Sequence, residues 1–188
     1  PQQMMAAERE IIDEAYAGDI IGVFDPGIFS IGDTVTVPGK KFKFSGIPPF
    51  EPEHFMRVSP KDTMKRKQFI KGTEQIAQEG AIQIFQEFNS GMEEIIVGVV
   101  GVLQFEVLTY RLRNEYNVEV ILEKLPFEHI RWVENPGEVD VARIQGTSDM
   151  KRICDLKGNP LLLFINSWSV GMVEERNPGL RLAEFGRN

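Results

Sequence analysis

Two glycines three residues apart, Gly98 and Gly101, sit where an apolar strand-like run meets a helical one in GVVGVLQFEVLTYRLRNEYNVEV, residues 98–120. Such junctions can hold phosphate, because helix N-terminal amides and the helix dipole both favour an anion. The surrounding residues do not fit that chemistry. A P-loop requires G-x-x-x-x-G-K-[ST], whose lysine and hydroxyl converge on phosphates and magnesium. A dinucleotide fold requires a third glycine and an acidic residue further on. Packing is the expected role, with Gly101 letting the strand turn sharply into the helix. The same kind of loop can hydrolyse acyl phosphates if an arginine holds the phosphoryl oxygens. Here Val102-Leu103-Gln104-Phe105 fills it without a cation.

A second set of residues is more informative. From Ser59 onward the spacing predicts a helix to Glu79, with Ser59 as N-cap, Pro60 at the first helical position, Asp62 in the first turn and Gly80 as the stop. At about 100° per residue, Phe69, Ile70, Thr73, Ile76 and Ala77 share one face. Lys61, Lys65, Lys67, Gln68 and Lys71 share the opposite one, with Met64 inside the basic arc and Arg66 near the apolar one. Such an arc is either a solvated face or a phosphate-contacting one.

Other reactive side chains lack partners in the sequence. His54, His129 and Cys154 are too far apart to resemble a zinc site. Cys154 follows Lys151-Arg152, a pair able to lower a thiol pKa, yet a buried, inert thiol is expected. Glu174-Glu175 would point to opposite faces of a strand. Trp132 and Trp168 lie in apolar runs and are expected in the core. No catalytic, cofactor-binding or metal-binding residue is expected.

The chain has 188 residues, 42% apolar and 26% charged, with a formal net charge of −7 and one cysteine. That composition suits a globular protein. The lone cysteine suits a reducing cytosol, so a cytoplasmic protein with no membrane partner is expected. The acidic balance argues against a dedicated nucleic-acid binder on net charge, though not against a local basic patch. PQQMMAAERE has no signal-peptide pattern. Opening on Pro1, it suits a processed chain or a piece of something longer.

The elements that must position these residues fall into two parts. AGDIIGVF (17–24), FSIGDTVTV (29–37) and KFKFSG (41–46) read as short strands, with turns at Asp25-Pro26-Gly27 and Pro38-Gly39. They form part of a β-domain, a partial β-barrel over 1–48 with open edges. The proline-rich GIPPFEP (46–52) marks the boundary. Residues 53–188 form the second domain. HFMRV (54–58), the first helix, Ala81–Phe88, a turn at Asn89-Ser90-Gly91, Glu94–Val100, a helix over Leu103–Tyr116 and Val118–Lys124 give β-α-β-β-α-β. That is the ferredoxin-like split βαβ order, a core over 54–125, and the fold class is α+β.

The helix 103–116 carries two apolar stripes, one of Phe105, Leu108, Leu112 and Tyr116 and one of Leu103, Val107 and Tyr110. A helix over a sheet needs only one. The segment after Pro126, a missing domain or a partner must cover the other. The extension 126–188 is read as β-rich: a strand at His129–Glu134, mixed structure over Asp140–Leu156, an apolar run at Pro160–Val173, a turn over Glu174–Gly179 and a strand at Leu180–Phe185.

GVVGVLQFEVLTYRLRNEYNVEV, KFSGIPPFEPEHFMRV (43–58), KRKQFIKGTEQIAQEGAIQIF (65–85) and RWVE (131–134) resemble the release factor 3 family of bacterial translational GTPases. AGDIIGVFDPGIFSIGDT (17–34) is similar to the β-barrel second domain of translational GTPases. The resemblance covers most of the chain and is weakest after about Val139. It implies the end of domain II plus domain III of such a factor. It implies GTP and magnesium in an N-terminal domain whose Walker-type loop, switch regions and N-K-x-D motif have no counterpart here, so this chain alone would not be an enzyme. It implies partners too: the ribosome through small-subunit RNA and protein S12, with class I release factors displaced indirectly. Lys61, Lys65, Lys67 and Lys71 are the candidate contact face. Open strand edges also predict self-association of the piece. The competing reading is a ferredoxin-like module regulated by a small molecule, which would give a saturable thermal shift with an amino acid or nucleotide.

Overall fold

The computed structural model describes residues 2–5, 8–11, 13–24, 26, 28–29, 32–44, 50–88 and 94–185. The chain divides into two compact units, Pro1–Gly46 and Ile47–Asn188.

In the first unit, β1 (Gln2–Met5) lies between β2 (Glu8–Ile11) and β3 (Ile21–Gly22), antiparallel to both. The strands expected over 29–37 and 41–46 do not form a ladder among the described residues. Local side-chain bonds replace it: the Phe44 amide donates to Thr34 Oγ1 at 3.0 Å and the Thr36 hydroxyl to the Lys40 carbonyl at 3.3 Å. Hydroxyls compete in this way with regular pairing. The Pro38-Gly39 turn is present, with Gly39 at φ 88°. The Asp25-Pro26-Gly27 turn and most of the proline-rich boundary lie outside the described residues.

In the second unit, β4 (His54–Pro60) leads through a 3₁₀ turn (Thr63–Lys65) into α1 (Arg66–Gln78). Then follow β5 (Gln83–Glu87), β6 (Ile95–Val99), α2 (Leu103–Tyr116), β7 (Val120–Leu125) and β8 (His129–Val133). A 3₁₀ turn (Val141–Arg143), β9 (Lys151–Asp155), β10 (Pro160–Phe164), α3 (Ser167–Arg176) and β11 (Leu182–Glu184) complete it. The eight strands make one antiparallel sheet in the order β11-β8-β10-β9-β5-β6-β4-β7. The unit is α+β.

Paired residues on neighbouring strands share a face. On one face Val58, Ile84, Ile95, Val97 and Val99 pack under α1 and α2, meeting Phe69, Ile76, Phe105, Leu108 and Leu112. Further along it, Leu162, Phe164 and Val133 meet Val173 of α3. Among the described residues the other face carries no helix, yet Phe55, Phe85, Ile96, Ile130, Ile153, Leu161 and Leu163 on it are buried together. The reason is connectivity. Only Pro126, Phe127 and Glu128 join β7, last in the order, to β8, second from the far end. In a flat sheet those strands would stand roughly 29 Å apart at about 4.8 Å per strand. The four Cα steps from Leu125 to His129 reach at most about 14 Å. The sheet must curl, and its concave face closes over its own side chains.

Several sequence expectations change. Ser59 and Pro60 do not start a helix; they end β4, paired with Ile121 and Val120. The missing N–H of Pro60 faces the side where β6 has already ended, at Val58↔Ile95, so no ladder bond is lost. Asp62 caps instead, accepting from the Met64 amide at 2.9 Å. The apolar run 160–173 is not one element: β10 ends at Phe164, and Asn166 caps α3 by accepting from the Ser169 amide at 2.9 Å. Glu174 and Glu175 therefore lie in the last turn of α3, not in a loop. The extension 126–188 continues the core sheet, since β9 pairs with β5. The Asn89-Ser90-Gly91 turn lies outside the described residues.

Candidate functional site

The glycine junction is closed by its own helix. The Val100 and Gly101 amides both donate to Gln104 Oε1 at 3.0 Å, and Gln104 Nε2 donates to the Ala81 carbonyl. These two amides are therefore already occupied. Packing is the role, but it falls on Gly98 rather than Gly101. A Cβ at Gly98 would lie 2.8 Å from Pro52 Cβ and 3.1 Å from the Phe85 ring, whereas one at Gly101 meets nothing within 4 Å. Gly101 has no positive φ, so the turn does not require it.

The lysine arc is split by the fold. Lys61 lies before the 3₁₀ turn and pairs with Glu119 at 3.1 Å. The Lys65 ammonium donates to the Asn117 carbonyl at 2.7 Å. These two tie the entry of α1 to the exit of α2, where Asn117 adopts a left-handed conformation at φ 54° and ends the helix. The Lys61 hydrogen bond holds the Glu119 carboxyl below its ordinary range, with Arg113 and Lys65 adding to it. Lys67 and Lys71, one turn apart on α1, are exposed and form no ion pair among the described residues. Arg113, from the last turn of α2, joins this corner 3.8 Å from Glu119. Helical spacing near residue 61 gave no signal for it, because it arrives from another element.

Two ionic clusters escaped the sequence reading. Arg57 on β4 reaches Glu123 at 2.7 Å, Glu87 at 3.3 Å and Glu94 at 3.5 Å, and Lys151 also bonds Glu87. The Lys151 hydrogen bond, with a smaller one from Arg57, holds the Glu87 carboxyl below its ordinary range despite partial burial. The Glu123 hydrogen bond, foremost, raises the Arg57 pKa. On the helix side Arg111 binds Glu115 at 2.8 Å and Glu79, clamping α2 to the end of α1.

The two histidines, far apart in sequence, line one groove of about 890 Å³ together with Glu53, Glu128 and Lys124. No group of three or more His, Cys, Asp or Glu side chains among the described residues is placed to hold a metal ion. Burial pushes the half-buried Cys154 thiol up, with Asp155 adding to it, against the lowering that Lys151-Arg152 suggested. Trp132 stacks on Phe185 at 5.4 Å. Trp168 is 66% exposed at the start of α3, not in the core. The second stripe of α2 is also uncovered: Leu103 is 67% and Tyr110 68% exposed. The segment after Pro126 joins the sheet edge-on and does not lie over α2.

With this geometry in place, the likeness to known proteins takes a definite form. Two families match in tandem: elongation factor G domain 2 over residues 1–38 and class II release factor RF3, C-terminal domain, over residues 44–174. The pairing is that of a translation factor. The chain belongs to the class II release factor RF3 family. It is 54% identical over 180 residues to peptide chain release factor 3 of Symbiobacterium thermophilum, covering 96% of this chain and 34% of that protein. The same-named protein of Synechococcus elongatus is 43% identical over 184 residues, covering 97% of this chain and 32% of its own length. That of Listeria monocytogenes is 44% identical over 183 residues, covering 97% and 34%. The chain thus spans about a third of the length of these relatives. No helix among the described residues is long and apolar enough to cross a membrane.

Proposed function

We propose that this chain is the ribosome-docking portion of a peptide-chain release factor 3, acting in translation termination. The observation that carries this reading is the tandem match, domain 2 of an elongation factor followed by the C-terminal domain of a release factor. Residues 1–48 are then the partial β-barrel and 53–188 the C-terminal domain. The order β5-β6-β4-β7, traversed β-α-β-β-α-β, supports a ferredoxin-like core at 54–125. GTP and magnesium belong to a separate domain of the longer factor, and nucleotide turnover is not a property of this chain. Docking is mechanical: nucleotide state elsewhere reorients these domains on the small subunit, at RNA and protein S12. Class I release factors leave as a consequence.

Within that reading the contact face narrows to Lys67 and Lys71. Their ammonium groups form no ion pair among the described residues and are open to phosphate, whereas Lys61 and Lys65 are engaged in holding α1 to α2. Co-sedimentation of the chain with isolated small ribosomal subunits across a salt series tests it. Salt-sensitive pelleting is expected; no pelleting at any salt rejects autonomous docking by this portion.

A further inference from the structure

Five exposed apolar side chains of the second unit gather between α2 and β7. Val102, just before α2, Leu103, Val107 and Tyr110 on α2 and Leu122 on β7 are each between 37% and 68% exposed. Together they present on the order of 500 Å², within the range of a monomer's largest patch, to which the pairing edge of β7 adds toward the roughly 800 Å² each partner gives to a standard interface. Between α2 and β7 runs a groove of about 850 Å³, floored by Met56, Phe105 and Leu122 and rimmed by Val102 and Tyr110.

Among the described residues β7 is also the unpaired edge of the sheet. The Lys61 amide bonds the Glu119 carbonyl at 2.9 Å, so by antiparallel alternation Glu119, Ile121 and Glu123 turn their backbone groups toward β4. Val120, Leu122 and Lys124 turn theirs outward. An edge of this kind accepts another strand. Charge decides which registers a second β7 can adopt about a two-fold axis, since like charges directly opposite are destabilising. Centring on Ile121 sets Glu119 against Glu123. Centring on Glu123 or Lys124 sets each against itself, and centring on Val120 leaves half the strand unpaired. Centring on Leu122 opposes no like charges: Leu122 meets Leu122, Val120 meets Lys124, and Ile121 meets Glu123.

We propose that the β7 edge and the outer stripe of α2 form a two-fold self-association surface, with a second copy of this chain paired at Leu122. Leu122 shares the face of Val58, its partner on β4, so the second copy's Leu122 enters the groove beside α2. The isologous geometry lets each copy bury what the other exposes.

Sedimentation analysis of the 188-residue chain tests this. A concentration-dependent doubling of mass is expected. Leu122→Lys and Leu122→Glu should each sediment as monomers with unchanged circular dichroism, because like charges then meet on the axis. Mixing the two should restore the doubled mass. Ile121→Lys, which sets a lysine against Glu123, should still dimerise. A chain monomeric at every concentration overturns the proposal and leaves the edge to another partner. So does a dimer indifferent to both Leu122 variants, a mixture that stays monomeric, or an Ile121→Lys chain that no longer associates.

Discussion

Gly98 and Gly101 look equivalent in the sequence, and the structure makes them opposites. Gly98→Val would drive a side chain into Pro52 and Phe85 inside a fully buried strand; overpacking of this kind costs about 1–3 kcal/mol. Gly101→Ala meets open space with no left-handed backbone and should be neutral, or stabilising by up to about 1 kcal/mol through the unfolded chain. Urea denaturation of both variants checks the contrast. Glu87 gives a pH prediction. Its folded pKa is depressed by Lys151 and Arg57, so its stabilising contribution is present above the unfolded value of about 4.3 and is lost as pH falls through the lower folded value. Glu87→Gln should therefore flatten the loss of stability on acidification in that window, read from thermal melts at stepped pH. The sequence could not supply this, because the partners of Glu87 come from β4 and β9.

At the scale of elements, local signals were legible where they were not contradicted by distant pairing. The bounds of α2 follow from its apolar stripe and from Asn117, and Asn117 is the described non-glycine residue with positive φ. Asn117→Val should lose about 1–2 kcal/mol, the penalty of a left-handed β-branched residue, whereas Asn117→Gly should not. Asn166→Ala removes the α3 cap and should lose about 1 kcal/mol. Both are read by chemical denaturation. The Ser59-Pro60 pattern misled because β7 claims those residues for the sheet before a helix can use them. The run 160–173 misled because one apolar composition serves both a buried strand and a helix, and only Asn166 marks the change. The curl of the sheet was not legible at all. It depends on β9 meeting β5 across more than sixty residues of chain, a pairing that no local period encodes.

For the molecule as a whole, the basic arc was half legible. Helical spacing put four lysines on one side, but Glu119 and the Asn117 carbonyl, about fifty residues further on, take up two of them. The same logic separates structure from docking. Lys61 and Lys65 hold two helix ends together in the folded chain, and Lys67 and Lys71, exposed and without an ion pair among the described residues, are the proposed phosphate contacts. The most direct measurement compares two charge reversals, Lys67→Glu/Lys71→Glu and Lys61→Glu/Lys65→Glu, in co-sedimentation with small ribosomal subunits and in thermal unfolding. The first should unfold like the wild type yet lose pelleting, and Lys67→Ala/Lys71→Ala should shallow the salt dependence by about 0.7–0.9 per lost phosphate contact. The second should lower the melting temperature. If the Lys67→Glu/Lys71→Glu chain pellets as the wild type does, with the same salt slope, α1 is not the docking face and the account is wrong at its centre.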